Sequence, residues 1–284
     1  MRLFKKIVKY IVVILLAISI IGLVLISILS STILDKGYII SELEKSNYYT
    51  NLYSEIESNF EKYIYQSGLD ESVIKDICTI SKVREDTNKI ITNLYNGMQE
   101  KIDTTAIKEK LNENIETSLN GNITPSQEKA ISEFVDTIAN EYTQSIIHTE
   151  YEDAINSMYV KANKIVDYGK RGLIIGVAVL TFALLLLDIK RIHRFFNKLG
   201  ISLFASGAFC IITNIIINCS TTVSNIKILS ESISSALSNI LQDVLFTILE
   251  AGLILAGVGL IFIVITNIII TKRHMKREKE INNG

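Results

Sequence analysis

Glu250 and Asn214 are the residues whose type and setting could do chemistry. Glu250 is the only acid well inside an apolar block of this 284-residue sequence. Counting about 20 residues back from Ile270 puts it at the edge of a hydrocarbon layer, and the same count onward from Leu199 puts Asn214 at a similar depth. A carboxylate there is a candidate for proton or cation handling. The plainer reading has Glu250 wet at the interface, or bonded to Asn214 or Thr213. That reading weighs more, because a transporter ordinarily shows several such residues, broken helices or an internal repeat.

No other constellation points to catalysis. Of three histidines only His148 lies in the long polar segment, so no pair exists there for a metal or a proton relay. G-x-S-x-G, H-E-x-x-H and Walker patterns are absent from the sequence. Cys78, Cys210 and Cys219 have neither zinc-site nor disulfide-framework spacing, although Cys78 and Cys219 would share a compartment where a bridge could form. The carboxylates are scattered without a D-x-D-x-D-G loop, which is what a solvated face looks like. Asn122-Ile123-Thr124 and Asn218-Cys219-Ser220 match the glycosylation pattern, a triplet that arises easily by chance. No catalytic, cofactor-binding or metal site is therefore expected, and the chain is not expected to be an enzyme.

The elements that position Glu250 and Asn214 are long apolar runs. A leader, 1–6, precedes a run over 7–34; others cover 172–189, 199–218 and 244–270. Each is long enough for a helix that crosses a bilayer, and lipid leaves bare backbone no other solution. The first run is nearly twice a signal peptide's apolar region, and Ser27-Ile28-Leu29-Ser30-Ser31 makes a poor cleavage site, so an uncleaved anchor is expected. Basic clusters lie in the leader (Arg2, Lys5, Lys6), in the turn 190–198 (Lys190, Arg191, Arg194, Lys198) and in the tail 271–284 (Lys272, Arg273, Lys276, Arg277, Lys279). Four crossings put all three on one side, which positive-inside bias makes the cytoplasm, together with both termini. Lys170 and Arg171 fall on the other side, where a long domain weakens the rule.

Between the first two runs, 35–171 is polar, with helical periodicity almost throughout. Residues 35–170 carry 24 acidic and 14 basic side chains, a net −10, which excludes nucleic acid as a partner. Tyr49, Tyr53, Ile56, Phe60 and Tyr63 form a coiled-coil-like seam, and with no proline or glycine between Tyr38 and Gln66 the first run is expected to continue outward as one rod. Stops are expected at Ser67-Gly68, Asn96-Gly97 and Asn120-Gly121. Thr124-Pro125-Ser126-Gln127 is a capping box, and Thr149 with Glu152 suits a second one after a break near His148. Eleven of twelve tyrosines fall at or beyond the outer edge, where a narrow bundle would bury the rings and leave the hydroxyls wet. The loop 219–243 reads as one or two short amphipathic helices on the membrane surface.

Small residues mark helix packing. Gly172 and Gly176 form G-x-x-x-G, and Gly252 with Ala256, like Ser202 with Ser206, repeats the spacing. The expected fold is thus an all-α integral membrane protein with four transmembrane helices and a large extracytoplasmic helical bundle between the first and second. Its expected work is binding, as a sensor, scaffold or accessory subunit, with a small transporter or channel component using Glu250 and Asn214 as the alternative. The partners implied are the lipid bilayer, a protein outside or within the membrane, and a further copy of the chain. An Ile-, Lys- and Asn-rich, proline-poor composition suggests a bacterial plasma membrane.

Overall fold

The computed structural model describes residues 2–98, 101–119, 124–146, 152–219 and 230–282. Among them every regular element is helical: α1 (Arg2–Ser31), α2 (Lys36–Lys45), α3 (Tyr48–Ser67), α4 (Ile80–Asn96), α5 (Thr105–Ser118), α6 (Pro125–Ile146), α7 (Glu152–Asp188), α8 (Ile192–Cys219) and α9 (Glu231–Asn282), with short 3-10 turns at Glu71–Ile74 and Ile189–Arg191. The chain divides into an apolar unit (Met1–Leu34, Asn163–Ile226 and Ile240–Gly284) and a polar unit (Asp35–Ala162 and Lys227–Asn239).

Among the described residues three stretches are long and apolar enough to cross a membrane: Lys6–Ser31, Tyr159–Cys219 and Glu231–Arg273. The second stretch is not one rod. A Cβ on Gly22 of α1 would lie 3.3 Å from Leu173 of α7, and Ile26 faces Gly169, so α1 and α7 run antiparallel. The Ser202 and Ser206 hydroxyls of α8 donate to the carbonyls of Val13 and Ala17 at 3.1 and 3.0 Å, so α1 and α8 run parallel. The chain therefore reverses between α7 and α8, across Ile189–Arg191. Gly200 meets Gly259, and Gly207 meets Gly252, so α9 is antiparallel to α8. Val13, Leu16 and Ile20 of α1 are buried with Leu184 and Phe195 at the centre of this unit. Its outer faces are large exposed apolar side chains such as Ile14, Phe182, Ile215 and Ile254, as expected of helices whose solvent is lipid.

The polar unit has a core of its own. Ile56, Phe60, Ile107, Leu111, Ile115, Ile138 and Tyr142 are each at most 1 % exposed, and each such burial is worth about 1.5–3 kcal/mol. Its helices start and stop where local chemistry dictates. Asp35 accepts from the Tyr38 amide at 2.8 Å, and Thr79 accepts from the Lys82 amide at 3.2 Å. At the head of α6 the Gln127 side chain reaches back to the Thr124 amide at 2.8 Å, with Pro125 in the first turn. Gly68 and Gly97 end α3 and α4 with φ of 72° and 69°, a left-handed turn that a side chain would strain.

Two expectations from the sequence are corrected. The first run does not continue outward as one rod. The Thr32 hydroxyl donates to the Ile28 carbonyl at 2.7 Å, Asp35 caps a new helix, and Asn47 adopts a left-handed φ of 55° before α3. Short polar side chains here bond the backbone in competition with the helix. Nor do residues 231–243 of the 219–243 loop form a separate surface helix: from Glu231 onward they are the head of the 52-residue α9, and 220–229 lie outside the described residues. The break near His148 and the stop at Asn120-Gly121 lie outside the described residues.

Candidate functional site

Asn214 is 4 % exposed, and its side chain is fully engaged. Its Nδ2 donates to the Leu245 carbonyl of α9 at 2.6 Å, while its Oδ1 accepts from Asn218 at 3.0 Å. An amide that would be costly in an apolar setting is thereby satisfied, and it ties α8 to α9. Glu250 is exposed on α9 and has no hydrogen-bond or ion-pair partner among the described residues. The two are not bonded to each other, and no shared polar site forms around them.

The small residues fall into two groups. A Cβ on Gly172 or Gly176 would meet nothing within 4 Å, so the G-x-x-x-G face of α7 makes no close packing within the chain. Gly252 and Ala256, in contrast, lie at the closest helix crossing. A Cβ on Gly207 would be 2.4 Å from the Ala256 nitrogen and 2.5 Å from the Gly252 oxygen. One on Gly259 would be 2.4 Å from the Phe204 nitrogen and 2.6 Å from the Gly200 oxygen. Gly200 and Gly207 of α8 thus nest reciprocally with Gly252 and Gly259 of α9. Both pairs are seven residues apart, a spacing visible in the sequence to a search at two turns rather than one. In lipid, where no hydrophobic force pulls helices together, such contact is what holds them.

The apolar unit also holds a buried acid. Asp188, at the end of α7, is 3 % exposed and paired with Lys9 of α1 and Lys198 of α8. In sequence it falls near the end of the second apolar run, 172–189. Its role as a three-helix tie depends on α1 and α8 bringing their lysines together. Two cations against one carboxylate place its cost of burial on an ion network.

In the polar unit the tyrosine hydroxyls find carboxylates. Tyr142 donates to Asp86 at 2.7 Å, and Lys82 donates to the other Asp86 oxygen at 3.0 Å. Tyr63 donates to Glu141 at 3.1 Å, and Tyr53 donates to Glu57. Burial, reinforced by Asp86, pushes the Tyr142 hydroxyl far above its ordinary value; for Tyr53 and Tyr63 the bond to the carboxylate is the main cause of the rise. These hydroxyls anchor helices to one another or to a neighbouring turn. Cys78 is buried and free, its thiol pushed up to about 12 by burial and by Glu57, so it is unreactive near neutrality. Cys210 and Cys219 are also free. Among the described residues no group of three His, Cys, Asp or Glu could hold a metal ion.

Compared with known proteins, the chain matches no family model, no curated protein and no solved structure. Its class rests on its own features: an all-helical protein with three apolar stretches of membrane-crossing length.

Proposed function

We propose that the chain crosses a bacterial plasma membrane four times and works by binding, as a sensor, scaffold or accessory subunit, through a polar unit held outside the cytoplasm. The observation that carries this reading is helix continuity. α7 runs unbroken from Glu152 in the polar unit to Asp188 in the apolar one, and α9 runs from Glu231 to Asn282. An event at the polar unit would reach the membrane segments along these same two helices. The reversal at Ile189–Arg191 supports four crossings, since it makes the Tyr159–Cys219 stretch two antiparallel helices. From Tyr168 to Asp188 is twenty steps of helix, or about 30 Å, one hydrocarbon thickness. Lys9, Lys190, Arg191, Arg194, Lys198 and Arg273 gather at the Asp188 end, which supports that end as cytoplasmic.

A transport role for Glu250 and Asn214 is weakened by the engagement of Asn214 with Leu245 and by the lack of any group joining it to Glu250. Labelling single cysteines in intact cells with an impermeant thiol reagent tests the topology. Probes at Ser118 and Glu231 react, and probes at Asn197 and Met275 do not; the reverse pattern sinks the reading. A photo-crosslinker at Tyr65, 91 % exposed, tests binding. One discrete protein adduct, kept in Glu250→Gln, is expected. Lipid adducts alone, with an ion flux that Glu250→Gln abolishes, would instead establish the transporter.

A further inference from the structure

We propose that the end of the apolar unit where α7 turns into α8 binds the phosphate of an anionic phospholipid headgroup. Arg191 closes the 3-10 turn, Arg194 stands in the first turn of α8, and Arg273 comes from α9 to 3.5 Å from the His193 Nδ1. His193 lies within electrostatic reach of all three arginines and of Asp188, so they share one small region.

Charge is out of balance there. Among the residues whose side chains are described, the carboxylate at this end is Asp188, which is enclosed by Lys9 and Lys198 with its side chain 2 % exposed. It cannot neutralise anything further. Among the described residues Arg191, Arg194 and Arg273 have no carboxylate partner, and all three are exposed. Guanidinium groups are forked donors that match phosphate oxygens, so the missing counter-charge is one these residues are shaped to take.

The surroundings of the arginines select the source of that phosphate. Ile189, Ile192 and Phe196, 62 %, 47 % and 39 % exposed, follow one another at near-helical steps beside Arg191 and Arg194. A soluble anion would use the arginines alone. A phospholipid presents an anionic head and an acyl chain at the same depth, and so covers both kinds of surface. The assignment needs only that these helix ends reach a membrane surface; it does not depend on what the polar unit binds.

The full chain in detergent, titrated with phosphatidylglycerol or phosphatidylcholine and read by native mass spectrometry, tests the site. Phosphatidylglycerol should be strongly preferred. Each arginine changed to glutamine should weaken it about fivefold, and R191Q/R194Q/R273Q about a hundredfold. The charge-keeping triple R191K/R194K/R273K, which loses the fork and keeps the charge, should fall between the unmodified chain and the glutamine triple, and this separates lost charge from lost folding. K170Q/R171Q, at the other end of α7, should bind as the unmodified chain does. The proposal falls if the two lipids bind equally, if the single and triple glutamine variants keep the preference, if K170Q/R171Q loses as much, or if inorganic phosphate displaces the lipid.

Discussion

Glu55 of α3 caps the head of α9: its carboxylate accepts from the Ser232 amide at 2.9 Å and from the Ser232 hydroxyl at 2.7 Å. The two residues are 177 apart in sequence. A helix start usually satisfies its free amides with a side chain a few residues away. α9 has such a local cap, the Ser230 Oγ accepting from the Ile233 amide at 3.3 Å, and Glu55 adds a second from another helix that puts a carboxylate at the positive end of a 52-residue helix. Ser232 and Ala236 are buried and Ile233 packs on the core of the polar unit, so the cap fixes where α9 begins.

Glu55→Ala should therefore loosen the head of α9 before anything else. Losing a charged cap costs about 1–2 kcal/mol. Hydrogen exchange at the amides of the first turn should speed up roughly tenfold. Exchange within α4 and α5 should stay unchanged. Glu55→Gln, which keeps one acceptor, should fall between. Equal acceleration throughout the polar unit would mean that Glu55 supports the whole fold and not this helix start.

The glycine contact between α8 and α9 predicts an asymmetry among glycines. Gly207→Ala puts a methyl 2.4 Å from a backbone nitrogen, an overlap that only separation of the helices relieves. The expected cost is about 1–3 kcal/mol, read as a fall in the midpoint of thermal unfolding in detergent. Gly172→Ala, Gly176→Ala and Gly257→Ala should be neutral or stabilising by up to about 1 kcal/mol, since nothing lies within 4 Å and alanine is the better helix former. A loss at Gly172 or Gly176 comparable with that at Gly207 would show a second copy packed on that face of α7.

Much of this was legible from residues one or two turns apart. The apolar runs follow from hydropathy alone, and the head of α6 follows from Thr124, Pro125 and Gln127, whose capping is local. What escaped depends on residues distant in sequence. Asp188 takes its meaning from Lys9 and Lys198, and Ser232 from Glu55. Asn214 and Glu250 share a depth, yet depth does not fix direction around a helix, and Asn214 turns to Leu245. The break after Ser31 escaped for another reason. Thr32 and Asp35 are individually tolerated in helices, and only together do their hydrogen bonds to backbone outweigh continuation, while Asn47 turns the chain through its left-handed φ.

Asp188→Asn should destabilise the apolar unit strongly. It leaves Lys9 and Lys198 facing one another over a neutral amide at a site where the acid is 2 % exposed. Removing one member of a buried ion network costs about 3–5 kcal/mol, discounted here to about 3 kcal/mol because the lysines are about one-fifth exposed. Adding Lys198→Met should recover part of the loss. That non-additivity is the signature of direct coupling. Simple additivity of the two changes would refute the three-helix tie.

Alkali should unfold the polar unit before it affects the apolar one. Tyr48, Tyr49 and Tyr95 are pushed from 10.0 to about 12, chiefly by burial, with Glu55, Glu44 and Tyr159 respectively adding to the rise. Cys78 rises from 9.0 to about 12 for the same first reason. Each group is neutral when protonated, so the folded chain holds its proton more tightly than the unfolded one. Stability from these groups is complete below the unfolded values. It starts to fall near pH 9 with Cys78, falls faster above pH 10 as the tyrosines of the unfolded chain ionise, and is gone once pH passes about 12. Asp70 and Asp103, both lowered by capping bonds from Ser72 and Thr105, act at the opposite end, where their contribution disappears as acid protonates them. Unfolding followed by tyrosinate absorbance should show a cooperative rise above pH 10. Tyr48→Phe removes one of the linked protons and should flatten the slope of stability against pH. An unchanged slope would mean that Tyr48 ionises without unfolding the core around it.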